Sequence, residues 1–167
     1  MDSCLERLCQ ELEDAIRDAN PNVWAQAPPG KWNATQILEH LFLSYKGTTR
    51  GVEKCLELGA PLSTRSTLQQ RLGTLLVVNI GYFPSGRKAP ERVVPRGMPV
   101  EEVRQAILPE LHAMASGLDV CERRFGAGAK IMDHVVLGPF TAAQWRKFHW
   151  VHGRHHARQI RERIGNA

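Results

Sequence analysis

No apolar run in this 167-residue sequence approaches the roughly 20 residues needed to cross a bilayer. The longest, Leu75 to Val78 and then Ile80 to Phe83, is broken by Asn79. The opening stretch, MDSCLERLCQELEDAIRDAN, carries acidic and basic side chains throughout and has no apolar signal-peptide core. These absences lead us to expect a cytoplasmic location and no membrane partner. No CxxC spacing occurs among the four cysteines, Cys4, Cys9, Cys55 and Cys121. Each falls in a helical pattern where a small apolar group fits, so reduced thiols in or near the core are expected. Repeats of 20 to 50 residues, Gly/Ser linkers and polar low-complexity tracts are missing as well. With 43% apolar and 23% charged residues, the composition is that of one globular unit over residues 1–167. Aromatic residues are few, at 7%, and are not interleaved with lysine and arginine as a single-strand nucleic-acid binder requires.

What is present is a set of helical stripes. Leu5, Leu8, Leu12, Ala15, Ile16 and Ala19 repeat with a 3.6-residue period, and Asn20-Pro21 stops the helix because a residue before proline is pushed out of helical geometry. Asn33 is an N-cap candidate for a second helix to about Leu58, closed by Gly59 and Pro61. A shorter pattern from Ser66 to about Ile80 carries Leu68, Leu72, Leu75 and Leu76. The Pro- and Gly-rich stretch from Phe83 to Pro99 excludes regular structure and reads as a long crossover. Pro99 fits the first position of a third long helix, with Glu101 and Glu102 in its first turn and glycines from Gly126 ending it. Thr141 and Gln144 have capping-box spacing for a fourth, which runs to about Ile164. Four long helices, one short one and no convincing strand pair predict an all-α four-helix bundle with a long crossover. That crossover allows an up-up-down-down or related order.

The fourth helix places Trp145, Phe148, His149, His152, His156 and Gln159 on one face. Imidazoles four residues apart project in nearly the same direction, so His152 and His156 can converge on one ion. Two ligands on one helix cannot surround a metal, and His40, beside the buried stripe of the second helix, is the candidate third. Three imidazoles would leave one to three positions open, which is the arrangement of a catalytic site. Spacing alone leaves His149 as an alternative ligand, and it also fits ordinary partly buried histidines. His155 points about 100° away from its neighbours, towards the surface or the periphery of a site.

Two stretches resemble the DinB-like superfamily: Gly30-Lys31-Trp32-Asn33-Ala34-Thr35-Gln36-Ile37-Leu38-Glu39-His40-Leu41, and His152-Gly153-Arg154-His155-His156-Ala157-Arg158-Gln159-Ile160. The segment from His134 to Trp145, HVVLGPFTAAQW, resembles a branch with an His-Pro-x-x-Gly-x-x-Thr-x-x-x-Trp pattern, departing from it at Val135 where that branch usually has proline. The resemblance covers nearly the whole chain. It implies a four-helix bundle holding a divalent transition metal such as zinc or nickel. The implied ligands are one histidine of the second helix and an HxxxH pair of the last, here His40, His152 and His156. His149 has no ligand role in that pattern. Characterised relatives include thiol-dependent S-transferases and isomerases that use low-molecular-weight thiols.

The expected function is therefore a metal-dependent transferase or hydrolase acting on a small molecule through an activated thiol or water. Gln36 and Gln159 are candidates to hydrogen-bond a ligand imidazole, although each also suits a purely structural role. Trp32, His134 and His149 are candidates for the surrounding pocket. Glu39 is discounted as a general base because residues adjacent on a helix diverge by about 100°. A homodimer is compatible with the exposed helix faces. The alternative is a binding module for nucleic acid or protein in which a metal only braces the bundle. Its support is the formal charge of +5, concentrated in Arg146, Lys147, Arg154, Arg158, Arg161 and Arg163 of the last helix. Solvated basic faces are commoner than binding faces, so nucleic acid is not the expected partner.

Overall fold

A computed structural model describes residues 2–17, 21–82 and 88–165. Its helices are α1 (Ser3–Ile16), the single turn α2 (Pro21–Trp24), α3 (Ala34–Leu58), α4 (Leu68–Thr74), α5 (Val100–Phe125) and α6 (Ala142–Ile164). The helix starts follow from side chains that take up orphan N–H groups. Asn33, Thr67 and Thr141 each form a full capping box, with Gln36, Gln70 and Gln144 respectively. Gly59 and Gly165 end α3 and α6 in the left-handed conformation that only glycine adopts without strain.

Helix directions follow from side-chain partners. Thr49 meets Glu110 (2.6 Å) and, further along both helices, Leu56 meets Arg124 (2.9 Å), so α3 and α5 run parallel. His40 meets His152 while Thr48 meets His149, so α3 and α6 are antiparallel. Arg7 lies over Trp150 and Glu11 pairs with Arg161, which makes α1 parallel to α6. The order is up-down-down-up. Two consecutive long helices that run parallel require a connection spanning the bundle, about 37 Å for the 25 residues of α3. Residues 59–99 supply it. One continuous apolar core joins Leu5, Leu8 and Leu12 of α1 to Leu41, Tyr45 and Val52 of α3, Ile107, Leu111 and Leu118 of α5, and Ile160 of α6.

Three expectations need correction. The crossover contains a turn of 3-10 helix at Glu91–Val93, whose Val93 and Val94 amides bond back to Pro90 and Glu91. The early part of this stretch, from Phe83 to Arg87, lies outside the described residues. The helix expected from Ser66 to Ile80 is α-helical only to Thr74. It then widens into a π turn over Leu75–Asn79, closed by the Ile80 amide on the Leu75 carbonyl (3.0 Å). Val77 and Val78 are its buried residues, while Leu68, Leu72 and Ile80 are exposed. A strand pair also exists: β1 (Met132–His134) runs antiparallel to β2 (Gly138–Phe140). Strands of three residues are too short to show alternation, and the hairpin depends on Gly138 at φ +76°. It is anchored where the Ile131 amide bonds Phe140 and the Leu62 amide bonds Ile131.

Close approach of α1 to α6 depends on Gly153. A methyl group there would lie 2.5 Å from Leu8 Cδ1 and 2.9 Å from the Tyr45 hydroxyl. Leu8 and Tyr45 are fully buried and have no room to withdraw. Gly153→Ala should therefore lower stability by about 1–3 kcal/mol in denaturant unfolding, with the helical circular dichroism of the folded protein retained.

Candidate metal centre

The capping box at Asn33 fixes where α3 begins and hence which way its second turn faces. His40 on that turn points at the middle of α6, where His152 and His156 stand one turn apart. The three ring centroids lie 5.1 Å (His40 to His152), 4.9 Å (His40 to His156) and 4.6 Å (His152 to His156) from one another. One ligand nitrogen from each falls within 4.8 Å of the other two, and all three side chains are buried.

Secondary contacts set the rings. His40 Nδ1 lies 2.8 Å from the Val93 carbonyl, an acceptor only, so this nitrogen carries the proton and Nε2 carries the lone pair. His156 Nδ1 lies 2.7 Å from Gln159 Oε1 and is likewise the donor, which frees its Nε2. Phe148 stacks on His152 at 14° between planes, and Trp32 lies 5.2 Å from the His40 ring. Burial pushes all three histidines below their ordinary pKa: His40 falls, His156 falls to about 3, and His152 falls well below the usual value, with the neighbouring histidines adding to its desolvation. At neutral pH the cluster presents imidazole, the form that binds metal.

The donor set fits a divalent metal. Two nitrogens on one ion at 2.0–2.1 Å are separated by about 2.9–3.4 Å, depending on the angle at the ion. His40 Nε2 and His152 Nε2 are 3.1 Å apart. The orienting contacts on the outer nitrogens of His40 and His156 are the kind that ligating histidines make.

The triad opens into a cavity of about 920 Å³ between the N-terminal half of α3, the crossover, the hairpin and α6. His134, at the end of β1, lines it. Its Nδ1 accepts the amides of Val136 (3.2 Å) and Leu137 (3.1 Å), and its ring packs 4.5 Å from Phe148. That arrangement shapes the turn after His134, which runs through Val135. Burial and the nearby Arg92 charge lower the His134 pKa to about 4. His149 faces the same cavity but bonds Thr48 Oγ1 (2.9 Å) and lies over Trp145, deeper in the bundle than the triad. His155 is half-buried at the edge of the cavity, 5.1 Å from the His156 ring. Gln36 is occupied by the helix cap, its Oε1 accepting the Asn33 amide, so its role here is structural.

Sequence reasoning missed the way the crossover holds the triad. Glu39, 1% exposed, accepts the backbone amides of Arg96 (2.7 Å), Gly97 (3.0 Å) and Met98 (3.1 Å). It clamps the segment whose Val93 carbonyl orients His40. The signal available in the sequence was a lone acidic residue in an otherwise apolar turn, Ile37-Leu38-Glu39-His40-Leu41.

The family of proteins of unknown function designated DUF1569 matches residues 5–163, and the chain belongs to that family. No curated protein and no solved structure matches the chain.

Glu39→Gln replaces one of the clamp's acceptor oxygens with an amide that opposes a backbone N–H. The substitution should cost about 1–3 kcal/mol of stability. In hydrogen exchange, the Arg96 to Met98 amides should lose protection selectively, while those of the α5 interior keep theirs.

Proposed function

We propose that this chain is a divalent-metal-dependent enzyme of the DinB-like superfamily that acts on a small molecule, as a thiol-dependent transferase or a hydrolase. The observation that carries the reading is the convergence of three buried, neutral imidazoles from two antiparallel helices on one point at the wall of a large cavity. The motifs of α3 and α6 support the superfamily assignment. When bound, a divalent transition metal such as zinc or nickel supplies a Lewis acid that brings a thiol or water to its nucleophilic form near neutral pH.

The protein's own groups divide the remaining work. His40, His152 and His156 would hold the ion, and three protein ligands would leave a position for substrate or water. The Val93 carbonyl and Gln159 keep the His40 and His156 tautomers fixed. Phe148, Trp32 and Ile37 supply apolar wall near the triad, restricting the water that competes with a thiol. His134 and Arg92 also line the cavity, with burial and the Arg92 charge holding His134 below its ordinary pKa.

The binding-module alternative draws less support, because the basic residues of α6 are largely engaged within the fold. Arg146 is buried between Asp119 (2.7 Å) and Glu122 (2.8 Å), Arg161 pairs with Glu11 (2.7 Å), and Arg154 lies over Trp150. A face free to neutralise phosphates would leave such groups in solvent.

Protein purified without an affinity tag should carry about one equivalent of divalent metal by elemental analysis. His40→Ala, His152→Ala and His156→Ala should each lose most of it while staying helical, and His149→Gln should retain it. Full metal content in His152→Ala would refute the assignment.

A further inference from the structure

The cavity lining combines apolar side chains, among them Ile37, Val77, Leu137 and Phe148, with charged ones. Its charged lining is almost entirely cationic: Lys31, Lys88, Arg92 and Arg163, against Asp133 alone. Asp133 is already occupied, its two oxygens accepting the Thr64 amide (3.0 Å) and hydroxyl (2.5 Å). None of the four cations forms an ion pair among the described residues. Elsewhere on the molecule the opposite holds for Arg17, Arg104, Arg146, Arg158 and Arg161, which all have acidic partners. Lys31, Lys88 and Arg92 are exposed at the cavity's rim, and Arg163 is half-buried there, its Nε donating to the Trp32 carbonyl (3.2 Å). That bond uses one guanidinium N–H and leaves the forked end available for an anion.

We propose that the cavity takes an amphipathic organic anion, its carboxylate or similar head held by Arg92 and Arg163 and its body against the apolar lining. This rests on the reading of the cavity as the substrate chamber, and it adds the substrate class. Four uncompensated cations around one opening raise the local concentration of anions and disfavour cations of the same shape. The apolar wall favours a hydrocarbon or thioether body over a sugar or a polyphosphate. A volume of about 920 Å³ suits a small molecule of this kind.

Octanoate, octan-1-ol and octylammonium share one body and differ in the head. Their binding is followed by quenching of the intrinsic fluorescence to which the cavity residues Trp32 and Trp145 contribute, on protein whose metal content is measured in parallel. The expected result is octanoate binding at least tenfold tighter than octan-1-ol, with octylammonium weakest. Added salt should shrink the preference. Arg92→Gln combined with Arg163→Gln should remove most of the preference and leave octan-1-ol binding unchanged, which also reports that the cavity is intact. Removing metal with a chelator should leave the preference in place. Equal binding of octanoate and octan-1-ol, or no octanoate binding at millimolar concentration, would overturn the proposal. So would a preference that survives the double variant and vanishes with the metal, since the head would then sit on the ion. Protein that neither carries metal as purified nor takes it up on loading, yet still prefers octanoate, would count against the enzyme reading and leave this one standing.

Discussion

One buried carboxylate ties the crossover to the bundle. Glu39 is almost wholly removed from water, and an ionised carboxylate is tolerated there only with its lone pairs fully engaged. Three successive amides, from Arg96 to Met98, meet that need. In satisfying it they pin a long proline-rich segment against α3, and three residues earlier that segment offers the Val93 carbonyl to His40. The helix periodicity that makes Glu39 useless as a base for chemistry at His40 makes it useful here. It faces the crossover while its neighbour faces the cavity.

The up-down-down-up order has the same consequence on a larger scale. Parallel α3 and α5 require a connection that travels the length of the bundle, and such a connection must cover one side of it. In this chain it covers the opening beside α3 and α6. The crossover, the π turn after α4 and the short hairpin before α6 thus form three walls of the cavity, while the bundle supplies the histidines. The long helices carry the three histidines, while the loop before α3 and the crossover carry Lys31, Lys88 and Arg92, three of the four cations that line the cavity.

The long helices were legible because each signal had a local cause. Apolar stripes marked the buried faces, and the caps at Asn33, Thr141 and Gly59 lay where the structure has them. The juxtaposition of His40 with the HxxxH pair was also foreseen, from a motif on each helix, and the geometry brings those residues together. What stayed hidden depends on tertiary context. The 132–140 hairpin is too short for any periodic signal, and the π turn replaces an α-helical turn of acceptable propensity because Val77 and Val78 reach the core from it. Gln36 looked available to the site, yet its side chain is committed to the cap. The Val93 carbonyl could not be read at all, since a backbone group has no signature in the residue type.

The central claim is that three imidazoles and no other protein group hold one divalent ion. X-ray absorption spectroscopy on metal-loaded protein tests it directly, because imidazole gives a distinct outer-shell scattering pattern and sulfur a longer first-shell distance. The account predicts three imidazole nitrogens at about 2.0–2.1 Å with any remaining positions filled by light exogenous atoms. A sulfur ligand from one of the cysteines, or a fourth imidazole from His149 or His155, would contradict it.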